Sequence, residues 1–235
     1  MNLAIMQPYF FPYIGYFQLI NSVDKFVVYD NIKYTKKGWI NRNRIIDNAG
    51  RESIITLPLK KDADSLNISQ RMISNELSKD DFLNKIKEFY KKSPHFLSAY
   101  ACIEQCIRYQ NQNLFDFLFH SIQILCQYLK ISTQLLPSSF VNIDHDKRAQ
   151  DKVIAICKSL QASHYINAIG GVALYSQDEF KQTGLQLSFL KTHDWSYSQF
   201  GNSFRPWLSI IDVMMFNSVE EIKAFLDNGY ELIKS

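Results

Sequence analysis

No run of this sequence approaches the roughly 20 apolar residues that a membrane-spanning helix requires. The opening "MNLAIMQPYF" has neither a basic lead nor an apolar core with a small-residue cleavage site. We therefore expect a soluble, cytoplasmic protein without a membrane partner. Charge of one sign is also scarce. The 26 lysines and arginines stand against 23 acidic residues, a formal charge of +3, too little to coat nucleic acid non-specifically, so DNA is not an expected partner. The four cysteines, Cys102, Cys106, Cys126 and Cys157, form no CxxC pair and none adjoins a histidine. They fall on apolar helical spacing and are expected as packing residues, not as disulfides or ligands, and no metal site is expected. "NAIGGVALY" contains two glycines but not the GxGxxG or GxxxxGK(S/T) spacing of phosphate loops.

What is present is core. Hydrophobic residues make up 46% of 235, enough for one large domain over 1–235. "LAIM" and "KFVVYD" read as strands flanking a helix in "YIGYFQLINSV". "NRNRII" and "RESIITLPL" read as a hairpin turned at "DNAG". From about 79 to 130 the apolar spacing is helical, in three segments, with Ser93 and Pro94 expected to open the second. A helix through Arg148, a strand "HYINA", a short helix near "QDEFKQT" and a strand "LQLSFL" follow. Ser218 and Glu221 then make a capping box. The fold class is α/β, a parallel or mixed sheet with a strand-loop-helix-strand start and a helical insertion.

In such folds ligands bind beyond the carboxyl ends of the strands. Gln7, Asp30, Asn167 with Gly170 and Gly171, and His193 follow the expected strands, so their convergence on one edge is expected. "MQPYFFPYIGYF" is then the first such loop, stiffened by Pro8 and Pro12. Tyr9, Tyr13 and Tyr16 are its candidates for a wall against a base or sugar ring, while Phe10, Phe11 and Phe17 cover the sheet. "YTKKGWINRNR" offers Lys36, Trp39, Asn41, Arg42 and Arg44 to an anionic ligand. If Pro206 opens a helix, Arg205, Ser209 and Asp212 share one face of it, either as a buried pair or as part of the site. His193 and Asp30 are the candidate general bases, and Asn41 a candidate oxyanion donor.

"IMQPYFFPYIGYFQLINSVDKFVVYDNIKYTKKGWINRNRI", "INAIGGVALY" and "SFRPWLSIIDVMMFNS" together resemble the WbqC-like family of bacterial proteins found with surface-polysaccharide and O-antigen gene sets. The resemblance runs from Ile5 to Asn217. It implies an enzyme acting on a nucleotide-linked amino sugar by N-acyl or aminoacyl transfer, for example of glycine. The activated donor would come from an acyl carrier, acyl-CoA or aminoacyl-tRNA. "FPYIGYF" also resembles the histidine-signature nucleotidyltransferases, but residues such as Tyr13 and Tyr16 stand where their histidines would be. Three functions remain open: the acyl transfer, a nucleotidyl transfer in which Asp30 holds magnesium and Lys36, Arg42 and Arg44 brace phosphates, and sugar-nucleotide binding without chemistry. The helical segment is expected beside the cleft as a cover or partner surface.

Overall fold

The alternation of β1 (Asn2–Met6) sends Ala4 to one face of a sheet and Leu3 and Ile5 to the other, and all three are fully or almost fully buried. The same holds in β2 (Lys25–Val28), where Phe26 and Val28 oppose Val27. Both strands are therefore central ones, covered on both sides. The computed structural model describes residues 1–234 and shows a mixed α/β fold. Its main sheet has six strands. With β5 (Gln134–Pro137), β6 (His164–Ala168), β7 (Gln186–Thr192) and β8 (Tyr230–Lys234), their spatial order is β5-β2-β1-β6-β7-β8. All neighbours are parallel except the antiparallel β7 and β8.

Two apolar clusters cover the two faces. The larger joins α1 (Ile14–Asn21), three helices α2 (Lys79–Tyr90), α3 (Phe96–Ile107) and α4 (Leu114–Tyr128), and, after β7, the two helices α7 (Ile210–Phe216) and α8 (Val219–Asn228). The smaller lies under α5 (Ala149–Ser159) and α6 (Gln177–Gln182). A separate antiparallel hairpin, β3 (Arg42–Ile46) and β4 (Glu52–Thr56), turns through Gly50 at φ 73°, a left-handed conformation that glycine adopts without strain. All four cysteines are buried and free, and burial pushes the thiols of Cys126 and Cys157 up to about 12.

Three local expectations are corrected. Ser93 does not cap α3: its hydroxyl donates to the Tyr90 carbonyl at 2.7 Å, and the helix starts at Phe96. Pro206 does not open a helix, because α7 begins at Ile210, where the Ser209 hydroxyl accepts from the Ile211 amide. The helical segment lies beside the site, but as a support and not as a cover of the groove: α4 lines only a separate cavity with Asp30, through Phe115, Asp116 and Phe119. Phe82 of α2 packs edge-on to Phe10 at 5.8 Å and stacks over Phe11 at 6.4 Å, so these helices support the first loop from beneath. Among the described residues no helix is long and apolar enough to cross a membrane.

Candidate functional site

The loop after β1 is bent by two prolines and by Phe11, which sits at φ 44°. That left-handed conformation costs a non-glycine residue about 1–2 kcal/mol, and it is held from outside. The Phe11 carbonyl accepts from Asn43 Nδ2 at 2.7 Å and from the Ser209 hydroxyl at 2.8 Å, while Asn43 Nδ2 also reaches the Phe10 carbonyl at 3.1 Å. The Phe10 amide donates to the Trp39 carbonyl at 3.1 Å. Phe10 and Phe11 consequently turn fully into the core, and Tyr9 and Tyr13 are left on a groove wall.

This groove has two chambers that share Tyr13 and Trp207. The larger, about 440 Å³, is walled by Thr192, His193, Asp194, Trp195, Tyr197 and Arg205 among others. The smaller, about 200 Å³, lies between Tyr9, Trp39, Arg44 and Pro12. At the divide the Tyr13 ring meets Trp207 edge to face at 5.9 Å. Trp207 is itself at φ 60°, yet its side chain stands largely in solvent, the residue being 57% exposed. Gly15 fixes the inner edge, since a Cβ there would strike the Tyr13 ring and lie 2.6 Å from Thr192 Oγ1.

The guanidinium of Arg44 lies 5.8 Å from the centre of the Trp39 ring. It donates to Glu52 at 3.1 Å and to the Trp207 carbonyl at 3.2 Å, and its Nε has no acceptor. An idle donor of this kind costs about 1–3 kcal/mol, so the side chain gains by turning to an acceptor on a ligand. Arg205 is exposed and, among the described residues, has no carboxylate partner. Burial raises the hydroxyl pKa of Tyr9 and Tyr13, so both stay neutral donors at physiological pH.

The groove thus gathers Tyr9, Tyr13, Trp39, Arg44, His193 and Arg205 from the expected residues. The others lie elsewhere, each for a visible reason. Tyr16 is buried, donating to the Gln7 carbonyl at 3.0 Å, so both it and Gln7 brace the loop. Asn41 is buried between the Tyr34 hydroxyl and the Leu57 carbonyl, at 2.9 and 2.8 Å. Arg42 clamps its own loop through the carbonyls of Gly38 and Lys37, and Lys36 pairs with Asp64 at 2.7 Å in solvent. Asn167 caps its own strand end through the Ala168 amide at 2.9 Å. Gly171 approaches that side chain too closely to carry a Cβ, while Gly170 is exposed.

Asp30 and His193 do not share a cleft. They end β2 and β7, three strand positions apart, or about 14 Å. Asp30 accepts from the Ser138 hydroxyl at 2.6 Å and the Ser139 amide at 2.8 Å, which ties β2 to the edge strand β5 beside a different cavity of about 490 Å³. Asp30→Ala is expected to lower stability by about 1–3 kcal/mol and to leave ligand binding in the groove unchanged, as thermal melts and titration on one preparation will show.

Arg205 and Asp212 are not a pair either. Asp212 is fully buried and accepts from the Tyr90 hydroxyl at 2.9 Å, the Tyr197 hydroxyl at 2.7 Å and Gln199 Nε2 at 2.7 Å. Gln199 in turn accepts from the Arg205 amide at 2.7 Å. One carboxylate behind the wall therefore ties down the connection from β7 to α7, and Tyr197 carries that tie to the groove surface. Asp194 stands with His193 at the strand end, as expected, and Asn43 lies in the expected anion-binding loop; Trp195, Tyr197 and Trp207 are lining residues with no site role in the sequence reading.

The family model of the WbqC-like protein family matches residues 7–224. The chain is also 26% identical over 228 residues to the "Uncharacterized protein Rv1507c" of Mycobacterium tuberculosis, covering 96% of this chain and 97% of that one. No solved structure matches.

Proposed function

Because the chain belongs to the WbqC-like protein family, we propose that it works in bacterial surface-polysaccharide synthesis as an N-acyl or aminoacyl transferase on a nucleotide-linked amino sugar. The observation that carries this reading is the groove itself. Aromatic faces, one free arginine, an imidazole and a carboxylate meet in one two-chambered space, which is the inventory that a ring-bearing, phosphorylated amine asks for.

In the proposed reaction the sugar amine attacks the acyl carbon of an activated donor, a thioester or ester. The C–N bond forms, the bond to the leaving thiolate or alkoxide breaks, and the amine loses a proton. His193, on the wall of the larger chamber at the end of β7, is the base for that proton, its backbone amide donating a hydrogen bond of 2.9 Å to the Gly229 carbonyl. Asp194 beside it accepts from the amine or from sugar hydroxyls, and Arg205 holds phosphate oxygens. The first turn of α1 also reaches this chamber at Ile14, and its cap Tyr13 supplies no side-chain acceptor, so the positive end of the helix lies where an oxyanion would develop.

Nucleotidyl transfer is a weaker fit, since Lys36, Arg42 and Asp30 are all engaged away from the groove. The test is a mass-spectrometric screen of nucleotide-linked amino sugars against acyl-CoA, acyl-carrier and aminoacyl-tRNA donors. A mass increment of one acyl group identifies reaction and donor together. Release of pyrophosphate, or tight binding with every substrate mass unchanged, would overturn the reading.

A further inference from the structure

Resting on the reading of the groove as a sugar-nucleotide site, we propose that its two chambers have fixed roles: the small chamber is a nucleobase slot, and the large chamber takes the amino sugar. The two differ in what they offer a ligand. The small chamber is lined by Trp39 and Trp207, both exposed, by Tyr9, Tyr13 and Pro12, and by Arg44, whose guanidinium lies 5.8 Å from the centre of the Trp39 ring and supplies one cation. Asn43 also lines it but has nothing left to give. Its Nδ2 donates to the Phe10 and Phe11 carbonyls, and its Oδ1 accepts from the Arg44 amide at 2.8 Å.

No carboxylate lines this chamber. A pyranose stacked there would leave most of its hydroxyls without acceptors, and buried polar groups without partners oppose binding. A planar base has two π faces for the indoles and edge carbonyl or ring-nitrogen acceptors for a guanidinium. The large chamber has the opposite character. Asp194, His193, Ser196 and Thr192 supply acceptors for hydroxyls and for an amine, and Arg205 supplies a counter-charge for phosphate. Tyr13 and Trp207 line both chambers, and in this assignment a nucleotide sugar lies across that pair with its diphosphate at the divide.

The experiment is isothermal titration of the full chain with UDP, GDP and glucosamine 1-phosphate, comparing wild type with Trp39→Ala, Trp207→Ala and Asp194→Asn. All three side chains are exposed, and thermal melts confirm that the variants remain folded. Loss of one base stack should weaken nucleoside diphosphate binding about tenfold or more in either tryptophan variant, with Asp194→Asn leaving it unchanged. Glucosamine 1-phosphate should show the reverse pattern. Tryptophan variants that weaken the sugar phosphate and spare the nucleotides would invert the assignment and overturn it. Binding of glucosamine 1-phosphate without either nucleotide would remove the base slot but leave the sugar-modifying reading standing. Binding of none of the three probes, together with a blank mass screen, would remove both.

Discussion

His193→Ala is expected to lower turnover about 10²–10⁴-fold, the usual contribution of a positioned general base, while the nucleotide affinity and melting temperature stay near those of wild type. The exposure of the ring is the reason for the second half of that statement. His193 lies on the surface of the large chamber, and only its backbone is tied into the fold, so its removal leaves no buried group stranded. Activity by product mass, affinity by titration and a thermal melt on one preparation separate the three quantities. Affinity and activity falling together by the same factor would make His193 a binding residue instead.

Asp212→Ala should act in the opposite sense, on stability first. It strips an acceptor from Tyr90, Tyr197 and Gln199 at once; Tyr197 borders the groove and Gln199 keeps the Arg205 carbonyl, but the buried Tyr90 hydroxyl and the lost network together cost on the order of 3 kcal/mol, or about 6–12 °C in melting temperature for a domain of this size. Burial pushes the Asp212 carboxyl above the usual carboxylate range, with the bonds from Tyr197, Gln199 and Tyr90 pulling the other way. A carboxyl whose folded-state pKa is raised contributes stability that is complete below the unfolded value, about 3.9, and is lost as pH rises through the folded one. The stability of wild type relative to Asp212→Asn should therefore shrink as pH climbs from about 4. Denaturant melts at a series of pH values measure that difference, and a gap that widens with pH would show that the carboxylate form is the one favoured by folding.

The order of elements was legible because the strongly periodic segments are also the buried ones. β1, β2, β6 and β7 are central strands whose alternation or apolar runs survive in the sequence. The missed strands β5 and β8 are the two edges. Their residues are mostly exposed or half-buried, so no clean apolar pattern marks them. The strand-end rule puts His193, Tyr9 and Tyr13 beside the groove cavities, whereas Asp30 and Asn167 lie away from them. The rule names an edge, and this edge is several strands wide. Arg205 was placed with the wrong argument, since α7 starts later than Pro206 suggested. Trp207 reads from the sequence as apolar cover on a helix, but the helix starts at Ile210 and Trp207 sits in an irregular connection with a left-handed backbone, and Asn43 reads as a ligand contact, though its partners are carbonyls 32 and 33 residues away.

The groove draws its walls from residues 9–14, 39–44 and 192–225, and thus joins the beginning of the chain to its end. Loop closure over such a separation comes late in folding. During synthesis the first loop and the β3 hairpin leave the ribosome long before the segment that completes their pocket. An N-terminal fragment, or a chain released early, would hold half of the platform and bind nothing. Any ligand that binds only the completed groove adds its free energy to the finished fold alone, so its stabilisation would appear only once the 192–225 segment is in place.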